Sequence, residues 1–260
     1  MADADSSPAF RNVYLLGGVR GDYRLRSARV PVGVDVALLH IMDMHWGTPP
    51  PWGACDSGAD LEGPGDDALR GWTHVDLRGE DGSVPNDVPI AGLLRTMWDA
   101  LELFGSIRLS GVDVIAPVEY VSDSLRNRVF GSGVGDPARA SELSTRVLAQ
   151  ATSAWGPTSS QSGWDTSRIL EALGQAVEVG ATMDAVPLAS YPPSSSPSPF
   201  AFGIEHPWAH SETNPFRAEI VLSSWTIDDA AWLAELVAAA CSQAGVDDDV
   251  QIAVRLMPDA

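Results

Sequence analysis

The sequence predicts an α+β fold, an antiparallel or mixed sheet with helices packed on it, and three observations carry that expectation. Short strand-like runs recur at 11–18, 30–42, 72–78, 111–121 and 217–225, with period-two alternation at 30–42 and 72–78. Two long helical patterns, 89–104 and 226–244, are each followed by a strand pattern. Their surroundings also echo one another: PIAGLLRTMWDALELFGSIRLSGVDVIAPV resembles TIDDAAWLAELVAAACSQAGVDDDVQIAVRL in layout, with few identities. Two readings stay open, a duplicated ferredoxin-like unit or two ordinary strand–helix–strand units.

Taken in order, RNVYLLGG at 11–18 is a short strand ending in a glycine turn. VPVGVDVALLHIM at 30–42 alternates Val34, Val36, Leu38, His40 and Met42 against Asp35 and, just beyond, Asp43. Residues 44–71, rich in Pro, Gly and Asp, read as one long irregular stretch, of the kind that often carries function. WTHVDLR at 72–78 sets Trp72, His74, Asp76 and Arg78 on one strand face and Thr73, Val75 and Leu77 on the other. Pro89 opens a helix that Gly105 stops, the usual asymmetry of helix ends. Its apolar stripe is Ile90, Leu94, Met97, Leu101 and Phe104, widened by Leu93.

Beyond the strand at 111–121, residues 122–180 read mainly as helix. PLASYPPSSSPSP at 187–199 can hold neither helix nor ladder and reads as a connector. A strand at 217–225, a helix at 226–244 and a strand at 250–257 close the chain. The expected organisation is one compact domain over 1–260, with strand–helix–strand halves at about 10–121 and 160–260.

Composition excludes several function classes. All sixteen Lys+Arg positions are arginine. There is thus no lysine for a Schiff base, a Walker-type phosphate loop or a Ser-x-x-Lys acyl transfer site. A net charge of −19 opposes nucleic acid and anionic membranes, which need a positive footprint. No apolar run is long enough to span a bilayer, and MADADSSPAF lacks the regions of a secretory signal. Cys55 and Cys241 form no CxxC, so the expectation is a cytoplasmic protein with free thiols.

The motifs are few. GSGVGD at 131–136 lacks GxGxxG spacing and reads as a turn between helices. His206 and His210 have helical metal-ligand spacing, but Pro207 argues for irregular backbone, and no metal site is expected. His40 lies on an apolar strand face, where a hydrogen-bonded core histidine and a pocket residue are both open. Trp46, Trp52 and Trp208 sit in irregular stretches and either wall a flat ligand or pack a loop down.

Glu102 is the best candidate for proton transfer. It lies one turn from Trp98 at the margin of the apolar stripe, where partial desolvation would suit a proton shuttle. The alternative is a solvated or arginine-paired rim glutamate. Arg78, on the strand face of His74 and Asp76, can grip a carboxylate with two parallel hydrogen bonds, or can be an exposed strand-end charge.

At Arg78 and Glu102 the chain resembles the bacterial Pictet–Spenglerases of β-carboline alkaloid pathways, the marinacarboline- and streptonigrin-type enzymes. The likeness rests on overall length, an arginine ahead of the glutamate helix and a glutamate at similar depth. It implies condensation of tryptophan, or a related indole-ethylamine, with an aldehyde. Glu102 would then move protons, Arg78 hold a carboxylate, and Trp98, His74 and His40 line the substrate. No cofactor is implied, the partners are small molecules, and the family resemblance implies a homodimer. Two further readings are a haem-binding ferredoxin-like enzyme using His40, His206 or His210, and a non-catalytic accessory or binding protein.

Overall fold

The computed structural model describes residues 13–26, 53–61, 65–78, 83, 87–131, 145–153, 164–177, 183–184, 216–222 and 224–257. Among these, eight strands pair into one sheet: β1 Tyr14–Leu25, β2 Gly53–Ala59, β3 Leu69–Asp76, β4 Gly105–Pro117, β5 Thr145–Ser153, the short β6 Met183–Asp184, β7 Phe216–Leu222 and β8 Asp249–Leu256. The helices are α1 Ile90–Phe104, α2 Asp123–Gly131, α3 Thr166–Val177 and α4 Ile227–Gln243, with a 3-10 turn at Val118–Tyr120. The strand order is β2-β3-β1-β4-β8-β5-β7-β6, and every pairing is antiparallel.

That order repeats itself about its centre. The second half runs β5-α3-β6-β7-α4-β8, with its strands arranged β8-β5-β7-β6, which is the ferredoxin-like β-α-β-β-α-β unit. In the first half β1, β2, β3 and β4 stand as β4-β1-β3-β2, the same arrangement, with α1 where the second half has α4. The units join edge to edge through β4 and β8, where Val114 faces Ile252 at the middle of the ladder. Of the two readings left open by the sequence, the topology is that of the duplicated unit. The α+β expectation holds, in its antiparallel form.

One sheet face packs on helices. Alternation along β1 sends Leu15, Val19 and Tyr23 to that side, joined by Val75, Val112, Val114, Val147, Ile220, Ile252 and Val254. They meet Leu93, Leu94, Met97 and Leu101 of α1 and Leu233, Leu236 and Val237 of α4. Each such side chain contributes about 1.5–3 kcal/mol on burial. The stripe read from the sequence for α1 is the one buried, Phe104 only partly. α1 passes into β4 without a loop. The Tyr23 hydroxyl donates to the Leu101 carbonyl at 2.7 Å, tying down that corner. A Cβ on Gly105 would lie 2.5 Å from the Tyr23 hydroxyl oxygen and from the Arg24 carbonyl oxygen, so only glycine fits there.

The two long helices start differently. α4 has its own capping box: Asp229 N–H donates to the Thr226 hydroxyl at 3.2 Å, and Thr226 N–H donates to Asp229 at 2.8 Å. α1 follows Pro89 and has no side-chain cap from its own N-cap residue. Glu235, in the middle of α4, supplies one. Its carboxylate accepts the Ala91 N–H and an Arg128 N–H, each at 3.1 Å, so one acid joins α4 to α1 and α2. Asp87 lies 3.6 Å from the same guanidinium. Glu235 is only 4% exposed, and burial pushes its carboxyl above the ordinary glutamate value, which Arg128 and the Ala91 N–H offset only in part.

Five expectations need correction. The strand read at 11–18 does not end in a glycine turn, because β1 continues through Gly17 and Gly18 to Leu25. Residues 44–71 are not one irregular stretch, because β2 occupies 53–59. The strand expected at 111–121 begins at Gly105. Residues 122–180 are not mainly helix, because β5 runs from Thr145 to Ser153 and carries the second half of the sheet. The second half therefore starts near 145 and not near 160. Leu148, Ala149 and Gln150 are good helix formers, but ladders to β7 and β8 on both sides override that propensity. The strand read at 30–42, the connector 187–199 and the turn at 132–136 lie outside the described residues.

Glu235 gives the fold a definite pH signature. Its carboxyl is raised in the folded state, so the folded chain binds that proton more readily than the unfolded chain. Its contribution to stability therefore falls as pH rises above about 4.5. In paired denaturant titrations at pH 4 and pH 7, the stability difference between wild type and Glu235→Gln should move in the variant's favour at the higher pH. Glu235→Ala should cost about 1–3 kcal/mol, because it leaves the Ala91 N–H without its acceptor.

Candidate functional site

The face of the sheet away from the helices is polar at one end. Leu77 N–H donates to the Val13 carbonyl at 2.7 Å, so strand geometry continues past the formal end of β3. Thr73, Val75 and Leu77 are buried on the helix side, which leaves Trp72, His74, Asp76 and Arg78 on the other. The register sets Tyr14 opposite Asp76 and Leu16 opposite His74. The Tyr14 and His74 rings meet edge-on, centroids 4.4 Å apart at 69°. The Asp76 carboxylate accepts the Arg78 backbone N–H at 2.9 Å, fixing one of its oxygens.

Beside this group lies a small apolar cluster of Leu16, Trp72 and Ile115, all buried. The Trp72 indole lies flat against the edge strand, where a Cβ on Gly58 would come within 2.6 Å of its Nε1. Tyr14, His74, Asp76 and Arg78 are half-buried, with the His74 Nε2 and Arg78 Nε atoms turned away from solvent. A phenol, an imidazole, a carboxylate and a guanidinium next to apolar ring surface can orient a flat acid and move a proton.

Farther along the same face is a buried charge cluster. Asp113 on β4 is 2% exposed and accepts hydrogen bonds from Arg20 on β1 and Arg255 on β8. Burial would push the Asp113 carboxyl up, but the Arg255 and Arg20 guanidinia more than reverse this and hold it below the ordinary aspartate value. Burial likewise opposes charge on Arg20, and Asp113 reverses it, leaving Arg20 above its usual value. Arg20 also donates to the Asp67 carbonyl at 3.0 Å, and Arg255 to the Val112 carbonyl at 2.6 Å. Arg70 donates to the carbonyls of Gly21 at 2.7 Å, Gly65 at 2.8 Å and Asp60 at 3.3 Å. These arginines hold strands and turns together.

Of the residues singled out in the sequence, Arg78 and His74 share this face. Glu102 does not join them. It is exposed at the C-terminal end of α1, so the partial desolvation expected for it does not occur. Its neighbour Leu101 lies over Gly71, seven residues up the strand from Arg78 and on the opposite face. At about 3.3 Å per residue that is roughly 23 Å along the strand, with the sheet between. Trp98 is half-buried against the helix-side core and is likewise remote from Arg78. His40, His206 and His210 lie outside the described residues, as do Trp46, Trp52 and Trp208.

Tyr14 and Asp113 were not foreseen as important. A sequence signal for Asp113 did exist, an aspartate inside the apolar run GVDVIAP, where a buried charge needs a partner. Nothing local marks Tyr14, whose contact with His74 comes from strand pairing. Among the described residues, no three His, Cys, Asp or Glu side chains gather as metal ligands. Cys241 is buried in α4 with its thiol pushed up to about 12, which removes it as a nucleophile at neutral pH. No described helix is long and apolar enough to cross a membrane. Comparison with protein-family models, curated proteins and solved structures gives no match.

The charge cluster makes a test of the site's foundation. Asp113→Asn leaves two arginines facing a neutral amide and should cost about 3–5 kcal/mol at pH 7. Because the carboxyl is lowered in the folded state, its contribution is complete above about 3.8 and fades as pH falls below that value. Urea melts of wild type and variant should therefore converge in strong acid.

Proposed function

We propose that the chain acts on a small aromatic carboxylate at the strand-end group Tyr14, His74, Asp76 and Arg78. In this reading His74 moves a proton and Arg78 grips the carboxylate. The observation that carries it is the edge-on contact of His74 with Tyr14, 4.4 Å between centroids, on the strand face that also bears Arg78. Apolar ring surface beside an acid–base group and a guanidinium suits a flat acid.

Within that class, the proposed reaction is a Pictet–Spengler condensation of tryptophan, or a related indole-ethylamine, with an aldehyde. The substrate amine and the aldehyde lose water to give an iminium, and the indole attacks it. A base then takes the C2 proton and restores the aromatic ring. His74 replaces Glu102 as that base, since Glu102 stands in water on the other side of the sheet. The absence of lysine is compatible with the reading without selecting it, because the nitrogen of this iminium comes from the substrate and none is needed from the protein. Ring closure requires no cofactor. A homodimer working in the cytoplasm belongs to the same proposal.

A second reading, a non-catalytic protein that binds a cationic partner, is favoured by how the arginines are used. Most described ones pair with a carboxylate of the same chain: Arg20 and Arg255 with Asp113, Arg24 with Asp22, Arg95 with Asp228, Arg126 with Asp123, Arg128 with Glu235, Arg146 with Glu219 and Arg168 with Asp165. With those arginines already paired, a chain of net charge −19 is suited to a cationic partner.

Incubation with tryptophan and a panel of aldehydes, read by mass spectrometry and chiral chromatography, separates the two. Formation of one tetrahydro-β-carboline enantiomer is the expected result. His74→Ala should lower the rate roughly 10²–10⁴-fold, the usual worth of a positioned acid–base group. Glu102→Gln should leave it unchanged. A rate that falls with Glu102→Gln and survives His74→Ala would return the base to the helix, and no product with any aldehyde would leave the binding reading.

A further inference from the structure

We infer that Asp76 is the ammonium-binding residue of the strand-end site, so that the site selects a ligand carrying both a primary amine and a carboxylate. The inference deepens the reading above and rests on it, because Arg78 remains the carboxylate grip.

It starts from strand geometry. Asp76 and Arg78 are two residues apart on one strand face, which puts their Cα atoms roughly 7 Å apart with side chains leaning the same way. An α-amino acid presents ammonium and carboxylate on neighbouring atoms, and side chains of these two lengths can converge on that spacing. The sequence of charges along the strand, acid then base, is the complement of a zwitterion.

The Asp76 carboxylate is also held in a particular way. Oδ1 accepts the backbone N–H of Arg78 at 2.9 Å, which closes a short turn and fixes the carboxylate plane. Oδ2 makes no hydrogen bond within the described residues, and the side chain is only half-buried. One oxygen is therefore spent on holding the group still, while the other has no partner among the described residues and still carries acceptor capacity. A pre-oriented carboxylate oxygen is a strong acceptor for an ammonium, since charge-assisted hydrogen bonds are about twice as strong as neutral ones. Tyr14, directly opposite Asp76 on β1, closes the side nearest His74 with its ring. The amine would thus sit between Asp76 and the Tyr14–His74 pair, with the aromatic part of the ligand lying toward Trp72.

Specificity follows from the cost of leaving a charge unmatched. A ligand with the same ring and carboxylate but no amine leaves the Asp76 carboxylate beside it without a cation. A ligand with amine and carboxylate satisfies both strand residues at once.

Calorimetric titration of the full chain with tryptophan and with indole-3-propionate, which lacks only the amine, tests this. Wild type should bind tryptophan at least about tenfold more tightly, the equivalent of one charge-assisted hydrogen bond. Asp76→Asn keeps the acceptor for the Arg78 N–H but loses the charge. It should bind the two ligands equally, with its affinity for indole-3-propionate the same as or tighter than wild type's, because the unmatched charge is gone. Equal affinities in wild type would overturn the inference while leaving an aromatic-carboxylate site standing. So would an Asp76→Asn variant that weakens both ligands alike, because that is the mark of a purely structural aspartate. If wild type binds neither ligand, the reading of the site and this inference fall together.

Discussion

The β4–β8 ladder is the interaction on which the rest of this protein depends. Each half of the sheet ends in a strand whose outer edge would otherwise carry a row of unpaired backbone groups, an aggregation hazard in any open sheet. Pairing Gly111–Pro117 with Asp249–Arg255 converts two exposed edges into the centre of one eight-stranded sheet. It also brings α1 and α4 side by side on the same face, where their apolar residues make one core. The two helices are then joined by a carboxylate, since Glu235 of α4 caps the start of α1.

The same seam explains the buried charges. Arg255 lies on β8, Asp113 on β4 and Arg20 on β1, so the ion cluster straddles the join between the halves. A lone buried carboxylate costs several kcal/mol, and a buried pair is weak support for stability in itself. What such a cluster does supply is register: a one-residue slip of β8 against β4 would turn Arg255 to the helix side and strand Asp113. The arginines of this lysine-free chain serve this kind of role repeatedly, with Arg70 clasping three carbonyls and Arg128 bridging Glu235 and Asp87.

The proposed site lies at an end of the sheet face that no described helix covers, where the side chains are polar and half-buried. Its neighbours Leu16, Trp72 and Ile115 are buried, and the charge cluster beyond them is internally neutralised, so neither competes for a ligand. Function in this reading is a property of two adjacent strands, β3 and β1, with the described helices acting only as support from behind.

The sequence by itself determined the α+β class, both long helices and the stripe that the first of them buries, because those depend on local periodicity and helix-end chemistry. It also determined that His74, Asp76 and Arg78 share a strand face, which follows from alternation alone. It could not determine β5, whose helix-forming residues become strand only between two partner ladders, nor the position of Glu102. Periodicity puts Glu102 at the margin of an apolar stripe, but a stripe does not say where the helix ends relative to the sheet. Only the tertiary structure decided that this glutamate stands in water with the sheet between it and Arg78, and that Tyr14 and Asp113 matter. Those facts come from strand order and register, which are set by contacts between residues far apart in the chain and leave little trace in any short stretch of it.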